Sequence, residues 1–331
     1  MQMKPLSLIS RYLSGSLKMC EFAITNLCTA RCDFCSIWKQ KKKVTIGLDE
    51  ALGVIDHLAR LGVGFITLTG GEPLLHPHID RLVARCTRHN IYTAVLNADA
   101  RLLNTKRLDG LQAGKADVVC ISMDHHTDEV MSASRKIPRL LFHVEKAVKE
   151  LSKRKIKSLA SVLINTFNHR TLRELFRRCD DLGFDMISLN YPIFSQSPLY
   201  TLGGEAIDLS KDEVIRALET VIALKSEFKT IVNHPVSMQN VITFLRGQRP
   251  AYPCLGGSRV FFVDWYGNTH PCMFLKEELG PVLSLENKDF ARPVCNQCSM
   301  SWYRDFSIYF QGFKSIGLLL SSLPGVVGTK K

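Results

Sequence analysis

The sequence predicts an α/β protein, a partial (β/α)6 TIM-like barrel followed by a small cysteine-rich α+β extension. Three observations carry this expectation. From Met19 to Asn190, short β-rich runs alternate with amphipathic helical runs, the pattern of parallel strands joined by helical crossovers. The repeats are numerous enough for an incomplete barrel, whose functional rim lies at the carboxyl ends of its strands. After about Pro198 the alternation stops, and a compact segment from Cys254 to Cys298 carries a second group of cysteines.

The elements follow in order. The strand run Cys20–Thr25 leads to a helix over Leu48–Arg60, where Leu52, Ile55, Leu58 and Leu61 repeat at helical steps. Gly62 sits just past that helix as a stop signal. Strand runs Phe65–Thr69, Tyr92–Leu96, Asp117–Met123, Leu159–Ile164 and Met186–Asn190 alternate with helical patterns over Ile79–His89, Thr105–Leu111, Pro138–Lys153 and His169–Leu182. Further on, Ser210 and Glu213 have capping-box spacing and open a helix to about Lys225. A helical stretch covers roughly Val236–Arg246, and Phe261–Cys272 reads as a hairpin turning at Tyr266–Asn268. The expected division is a barrel core over 1–200, a helical connector over 201–250, a cysteine-bearing extension over 251–305 and an apolar tail over 306–331.

With 46% hydrophobic and 22% charged residues among 331, the composition is that of an ordinary folded protein with room for a large core. The formal charge of +12 is spread out, and its densest piece is Lys39, Lys41, Lys42 and Lys43. That run is either a solvated loop or an attractor of an anionic partner. No secretory signal is visible, and no apolar stretch reaches the ~18 residues needed to cross a bilayer. The cysteines therefore suggest a reducing cytoplasm and metal binding rather than a disulfide framework.

Cys28, Cys32 and Cys35 can converge on one metal centre, and three thiolates fill only three corners of an iron–sulfur cube. One iron is left for an outside ligand. The trio follows the first strand and Gly70–Pro73 follows the second, so both motifs fall on one rim. Cys20, Cys86, Cys120 and Cys179 sit in apolar patterns and read as core. His76 and His78, beside Pro77, read as a helix start.

The run Thr25-Asn-Leu-Cys28-Thr-Ala-Arg-Cys32-Asp-Phe34-Cys35 resembles the cluster motif of the radical S-adenosylmethionine (SAM) enzymes, including the aromatic Phe34 before the third cysteine. Thr69-Gly70-Gly71-Glu72-Pro73 resembles that family's methionine-binding motif. The resemblance implies a [4Fe–4S] cluster whose open iron takes the amino and carboxylate groups of SAM. One electron would then release a 5'-deoxyadenosyl radical that abstracts hydrogen from the substrate. It also implies a flavodoxin- or ferredoxin-type reductant. Gly70 and Gly71 would allow close backbone approach to a ligand, and Glu72 would offer an acceptor to an ammonium group. Fainter correspondences place Asn97, Ser122, Asp124 and Asn165 near the cofactor, unless each merely caps a turn. Asp124, His125 and His126 are the candidate catalytic residues, with the two histidines as acid and base or as an exposed loop pair.

Cys254, Cys272, Cys295 and Cys298 form a second set, in which Cys295 and Cys298 have chelating spacing. Gly267, with Cys272 beyond it, looks like the C-terminal extension of radical SAM enzymes that hold an auxiliary [4Fe–4S] cluster. No cysteine follows Cys298, so the shorter "twitch" form is expected rather than the two-cluster SPASM form. Tetrahedral zinc is the alternative occupant. The tail Phe306–Val327 packs on the barrel or, on a sharper reading, lies on a membrane surface or beside a lipophilic substrate.

The leading function is thus a radical SAM enzyme acting on a peptide, a small metabolite or a lipid, isoprenoid or tetrapyrrole. The alternatives are a zinc-stabilised basic nucleic-acid-binding protein and a non-catalytic iron–sulfur electron carrier. Basic residues scattered through the helices argue against a nucleic-acid partner, and an electron carrier has no need of Gly70–Pro73.

Overall fold

The structure, a computed structural model, describes residues 4–193, 207–275, 277–291, 294–296, 298–310, 315 and 318. The chain opens with α1 (Lys4–Leu13) and continues through β1 (Lys18–Thr25), α2 (Leu48–Arg60), β2 (Val63–Gly70), α3 (Ile79–Arg88), β3 (Tyr92–Asn97) and α4 (Thr105–Ala113). Then come β4 (Val118–Ser122), α5 (Asp128–Arg135), α6 (Leu140–Lys153), β5 (Lys157–Leu163), α7 (Leu172–Leu182) and β6 (Met186–Asn190). Beyond them lie α8 (Lys211–Leu224), α9 (Pro235–Leu245), β7 (Val260–Val263), β8 (Asn268–His270), β9 (Gly280–Pro281) and α10 (Ser301–Ser307).

The first six strands pair in parallel in the order β6-β5-β4-β3-β2-β1, as the alternation predicts. Every residue of β1 is buried, because helices cover one face and the lumen contents cover the other. Cys20, Phe22 and Ile24 join the core shared with Leu52, Ile55 and Leu58 of α2. Met19 and Ala23 belong to two separate clusters on the opposite face.

The hairpin is present, but its first strand does more than the sequence suggested. β7 pairs in parallel with β1, from Met19↔Val260 to Phe22↔Val263, and only β8 and β9 continue antiparallel. The segment Val-Phe-Phe-Val is buried throughout, as a strand covered on both faces requires. The cysteine-rich extension is therefore sewn into the barrel sheet.

Helix ends follow local chemistry. Ser210 Oγ accepts from Glu213 N at 3.2 Å and Ser210 N donates to Glu213 Oε2 at 2.9 Å, completing the expected capping box. Gly62 has φ +88°, and a Cβ there would meet Ser16 O at 2.5 Å. Three helices, α1, α5 and α10, have no counterpart in the sequence reading. α5, Asp-Glu-Val-Met-Ser-Ala-Ser-Arg, buries only Met131 among its larger apolar residues, so no stripe announces it. α1 is tied down by polar contacts: Lys4 Nζ lies 2.6 Å from Asp117 Oδ2 in a nearly solvent-free pair.

No helix of the described residues is long and apolar enough to cross a membrane. Of the tail, Phe306 rests against Phe65 with ring centroids 5.6 Å apart and Phe310 against Tyr12 at 6.2 Å. Residues 311–314, 316–317 and 319–331 lie outside the described residues, and so does most of the expected membrane-contacting stretch.

Candidate metal centre and cofactor site

The loop carrying Cys28, Cys32 and Cys35 leaves the carboxyl end of β1 and is fastened on three sides. At the end of β2, Gly71 N donates to Thr25 O at 2.9 Å and Glu72 N to Leu27 O at 2.7 Å. A Cβ on Gly70 would meet Thr25 O at 2.0 Å and one on Gly71 would meet Leu27 O at 2.1 Å. Close approach is thus required here, but to the chain's own backbone leading into Cys28. On the second side, Thr29 Oγ1 donates to Asp99 Oδ2 at 2.7 Å. On the third, Arg31 N and Asp33 N donate to the carbonyls of Arg135 and Ser134, and Arg135 Nη1 lies 3.8 Å from Cys32 Sγ.

Arg135 is fully buried, and its Nη2 lies 2.6 Å from Asp124 Oδ2. The guanidinium carbon stands 5.4 Å from the Phe34 ring centroid. Burial pushes the thiol of Cys28 up to about 12 and that of Cys32 up to about 11, with Arg135 pulling Cys32 partly back. Cys35 is also raised by burial. A thiolate would form in such a place only with a positive centre beside it to offset the burial.

The remaining rim residues are largely occupied within the fold. Glu72 is fully buried: Oε1 accepts from Leu74 N at 3.0 Å, and Oε2 accepts from Asn97 Nδ2 at 3.0 Å, Ala98 N at 2.7 Å and Asp99 N at 3.0 Å. Its carboxylate thereby locks β2 to β3. Asn165 Oδ1 accepts from Phe167 N and Asn168 N, and its Nδ2 donates to Leu163 O, so it caps a turn. Asp124, a candidate catalytic group, is held by Arg135 and by Leu163 N at 3.3 Å. Ser122 Oγ donates to Asn97 O at 3.3 Å and stays half-buried.

Two rim atoms have no hydrogen-bond partner although buried: Asn97 Oδ1 and His126 Nδ1. His125 and His126 stack with centroids 4.2 Å apart, and burial, reinforced by His126, lowers the His125 pKa. His125 Nδ1 accepts from Thr127 N at 3.1 Å, which leaves Nε2 as the nitrogen carrying the proton in the neutral ring. His76 is buried, with Nε2 3.1 Å from Ile46 O, and His78 precedes α3 as expected. Lys39, Lys41, Lys42 and Lys43 are all exposed.

The second cysteine set gathers on the lumen side of the sheet. Cys254 and Cys295 exchange both backbone bonds at 2.9 Å, forming an isolated antiparallel bridge. Cys254, Cys272, Cys295 and Cys298 line one cavity of about 80 Å3, closed by Phe274 and Tyr303. Burial pushes the Cys254 and Cys272 thiols up to about 12. Among the described residues no group of three or more His, Cys, Asp or Glu is drawn together as a single-ion site. Arg304, 1% exposed, donates from Nε to Cys298 O at 2.6 Å, and neither Nη has a hydrogen-bond partner. Arg135 and Arg304 were both missed from the sequence, since each lies on a helix that its pattern does not announce.

Between the two sets stands Glu21, in the middle of β1, with Oε2 unpartnered. Burial pushes its carboxyl up to about 8, offset only in part by the Tyr303 hydroxyl. The folded chain thus holds this proton more tightly than the unfolded one, whose ordinary value is near 4.5. Stability from this group is complete below about pH 4.5 and is lost as pH rises through about 8. Glu21→Gln is expected to flatten the fall in melting temperature between about pH 4.5 and pH 8 and to exceed the parent above pH 8. Parallel slopes for parent and variant would refute this.

Residues 22–179 match the radical SAM superfamily. Over 270 residues the chain is 24% identical to a probable GTP 3',8-cyclase of Aeropyrum pernix, covering 78% of this chain and 74% of that one. Over 292 residues it is 21% identical to an AdoMet-dependent heme synthase of Nitratidesulfovibrio vulgaris, covering 81% and 77%. SuiB of Streptococcus suis, solved with S-adenosylmethionine, superposes with a TM-score of 0.66 at 14% identity, over 87% of this chain and 69% of SuiB. The matched span runs from β1 to α7 and contains both the cysteine trio and Gly70–Pro73. The chain belongs to the radical SAM superfamily and is an enzyme that works with a [4Fe–4S] cluster and SAM.

Proposed function

We propose that Cys28, Cys32 and Cys35 hold the [4Fe–4S] cluster, that the shelf Gly70–Pro73 together with Ser122 and Asn97 faces SAM, and that Cys254, Cys272, Cys295 and Cys298 hold an auxiliary cluster in the extension. The observation that carries this reading is the cysteine loop itself. Cys32 and Cys35 are near enough to Cys28 to raise its thiol further, and all three leave one strand end on a single loop, while Cys20, Cys86 and Cys179 are wholly buried in the helix-side core. Three ligands leave one iron open.

When bound, the cluster and SAM supply homolytic hydrogen abstraction from an unactivated carbon. The chain's residues position and shield. Glu72 fixes the shelf through its four hydrogen bonds, so its part is to order the cofactor site from behind. Asn97 Oδ1 is a buried acceptor with no internal partner, suited to an N–H or hydroxyl of the cofactor. Asn165 serves the turn that follows β5. Asp124 holds Arg135 beside Cys32, and the His125 and His126 pair remains the candidate for proton transfer to an organic substrate. The amino end of the lumen is filled with Ala94, Val118, Cys120 and Met186, so substrate enters from the carboxyl rim. A reductant of flavodoxin or ferredoxin type completes the reading.

Anaerobic reconstitution tests it. About eight irons per chain are expected from two four-iron clusters, with 5'-deoxyadenosine formed on adding SAM and dithionite. Replacing Cys28, Cys32 and Cys35 by alanine should halve the iron and abolish that product. Zinc at both sites with no SAM cleavage would refute the proposal.

A further inference from the structure

Arg304 poses an electrostatic problem that the rest of the fold does not solve. It is buried to 1% exposure, its guanidinium carbon lies 4.6 Å from the Phe244 ring centroid, and both Nη atoms lack a hydrogen-bond partner. No carboxylate pairs with it among the described residues: the adjacent Asp305 is occupied by Ser237 and by Asn233 at 2.6 Å. A buried cation without a counter-charge is strongly disfavoured. Arg304 is placed by its own bond to Cys298 O, and its charge acts directly on Cys254 and Cys298. Four thiolates around an iron–sulfur core form a net anion in the adjoining cavity.

At the first site Arg135 also lies beside a cysteine, but Asp124 neutralises it at 2.6 Å. One centre therefore faces a compensated ion pair and the other an uncompensated cation. Reduction potentials of clusters rise with nearby positive charge, because reduction adds an electron.

We infer that Arg304 is the counter-charge of the centre held by Cys254, Cys272, Cys295 and Cys298, and that it raises the reduction potential of that centre. It acts through the cluster's field and is a positioning residue rather than a catalytic one. The inference rests on the auxiliary-cluster reading above.

The test uses the full chain carrying Cys28→Ala, Cys32→Ala and Cys35→Ala, reconstituted anaerobically so that one centre remains. Its midpoint is read by potentiometric titration with electron paramagnetic resonance. Arg304→Gln should retain iron while reduction becomes about tenfold harder, a midpoint about 59 mV lower for one electron. Arg304→Lys, which keeps the charge, should stay within about threefold of the parent. If the glutamine variant does not fold, Phe244→Glu places a carboxylate under the guanidinium and should lower the midpoint in the same direction. An unchanged midpoint in Arg304→Gln or Phe244→Glu with iron retained overturns the inference alone. Failure of the triple-alanine background to bind iron overturns the auxiliary reading as well, and no titration curve then appears.

Discussion

Replacing Arg135 by leucine is expected to destabilise the chain by about 3–5 kcal/mol, because Asp124 is left buried without its partner. The same change should empty the first cluster site. The Arg135 side chain touches Cys32 Sγ and lies over Phe34, so leucine strips both contacts from the cysteine loop and leaves only the backbone bonds from Arg31 N and Asp33 N on that side. Iron per chain should fall toward half and 5'-deoxyadenosine formation should cease. The double variant Asp124→Leu with Arg135→Met separates the two effects, since a well-packed apolar pair often restores what a broken ion pair loses. Urea denaturation should show recovered stability while iron at the first site stays absent. Recovery of both would mean that Arg135 serves the fold alone.

The second large effect is expected at Gly70. Its φ of +132° is strained for any side chain, and an added Cβ would lie 2.0 Å from Thr25 O, a backbone atom that cannot swing aside. Gly70→Ala should therefore cost about 2–4 kcal/mol and push β1 away from the shelf that leads to Cys28. Gly53, inside α2 with nothing within 4 Å of an added methyl group, is the control. Gly53→Ala should stabilise by roughly 0.5–1 kcal/mol through helix propensity. Denaturation midpoints and iron content measured together check both. A Gly70→Ala chain with parental iron and stability would show that β1 and β2 can slide at this point.

Much of the barrel was legible because its signals are local. Leu52, Ile55 and Leu58 mark one helix face, and the six parallel strands all fall on their expected runs. The cysteine trio and the glycine pair were legible as well, since their spacing survives any tertiary arrangement. What the glycines do was not, because Thr25 O and Leu27 O come from another strand's end and sequence distance hides them. The same holds for Glu72, whose donors at Ala98 and Asp99 arrive with β3. α5 escaped notice because its work is polar: Ser134, Arg135 and Lys136 dock a loop rather than fill a core. The parallel pairing of β7 with β1 escaped too, because hairpin signals report the next strand and not the previous domain's edge.

That pairing has a consequence for the history of such chains. β1 is buried on both faces and would become a bare sheet margin if the segment after Arg249 were removed, a ready template for adhesion to other chains. The cysteine-bearing extension cannot be lost or swapped between barrels as a loose cassette. Any ancestor lacking it needed some other cover for that margin.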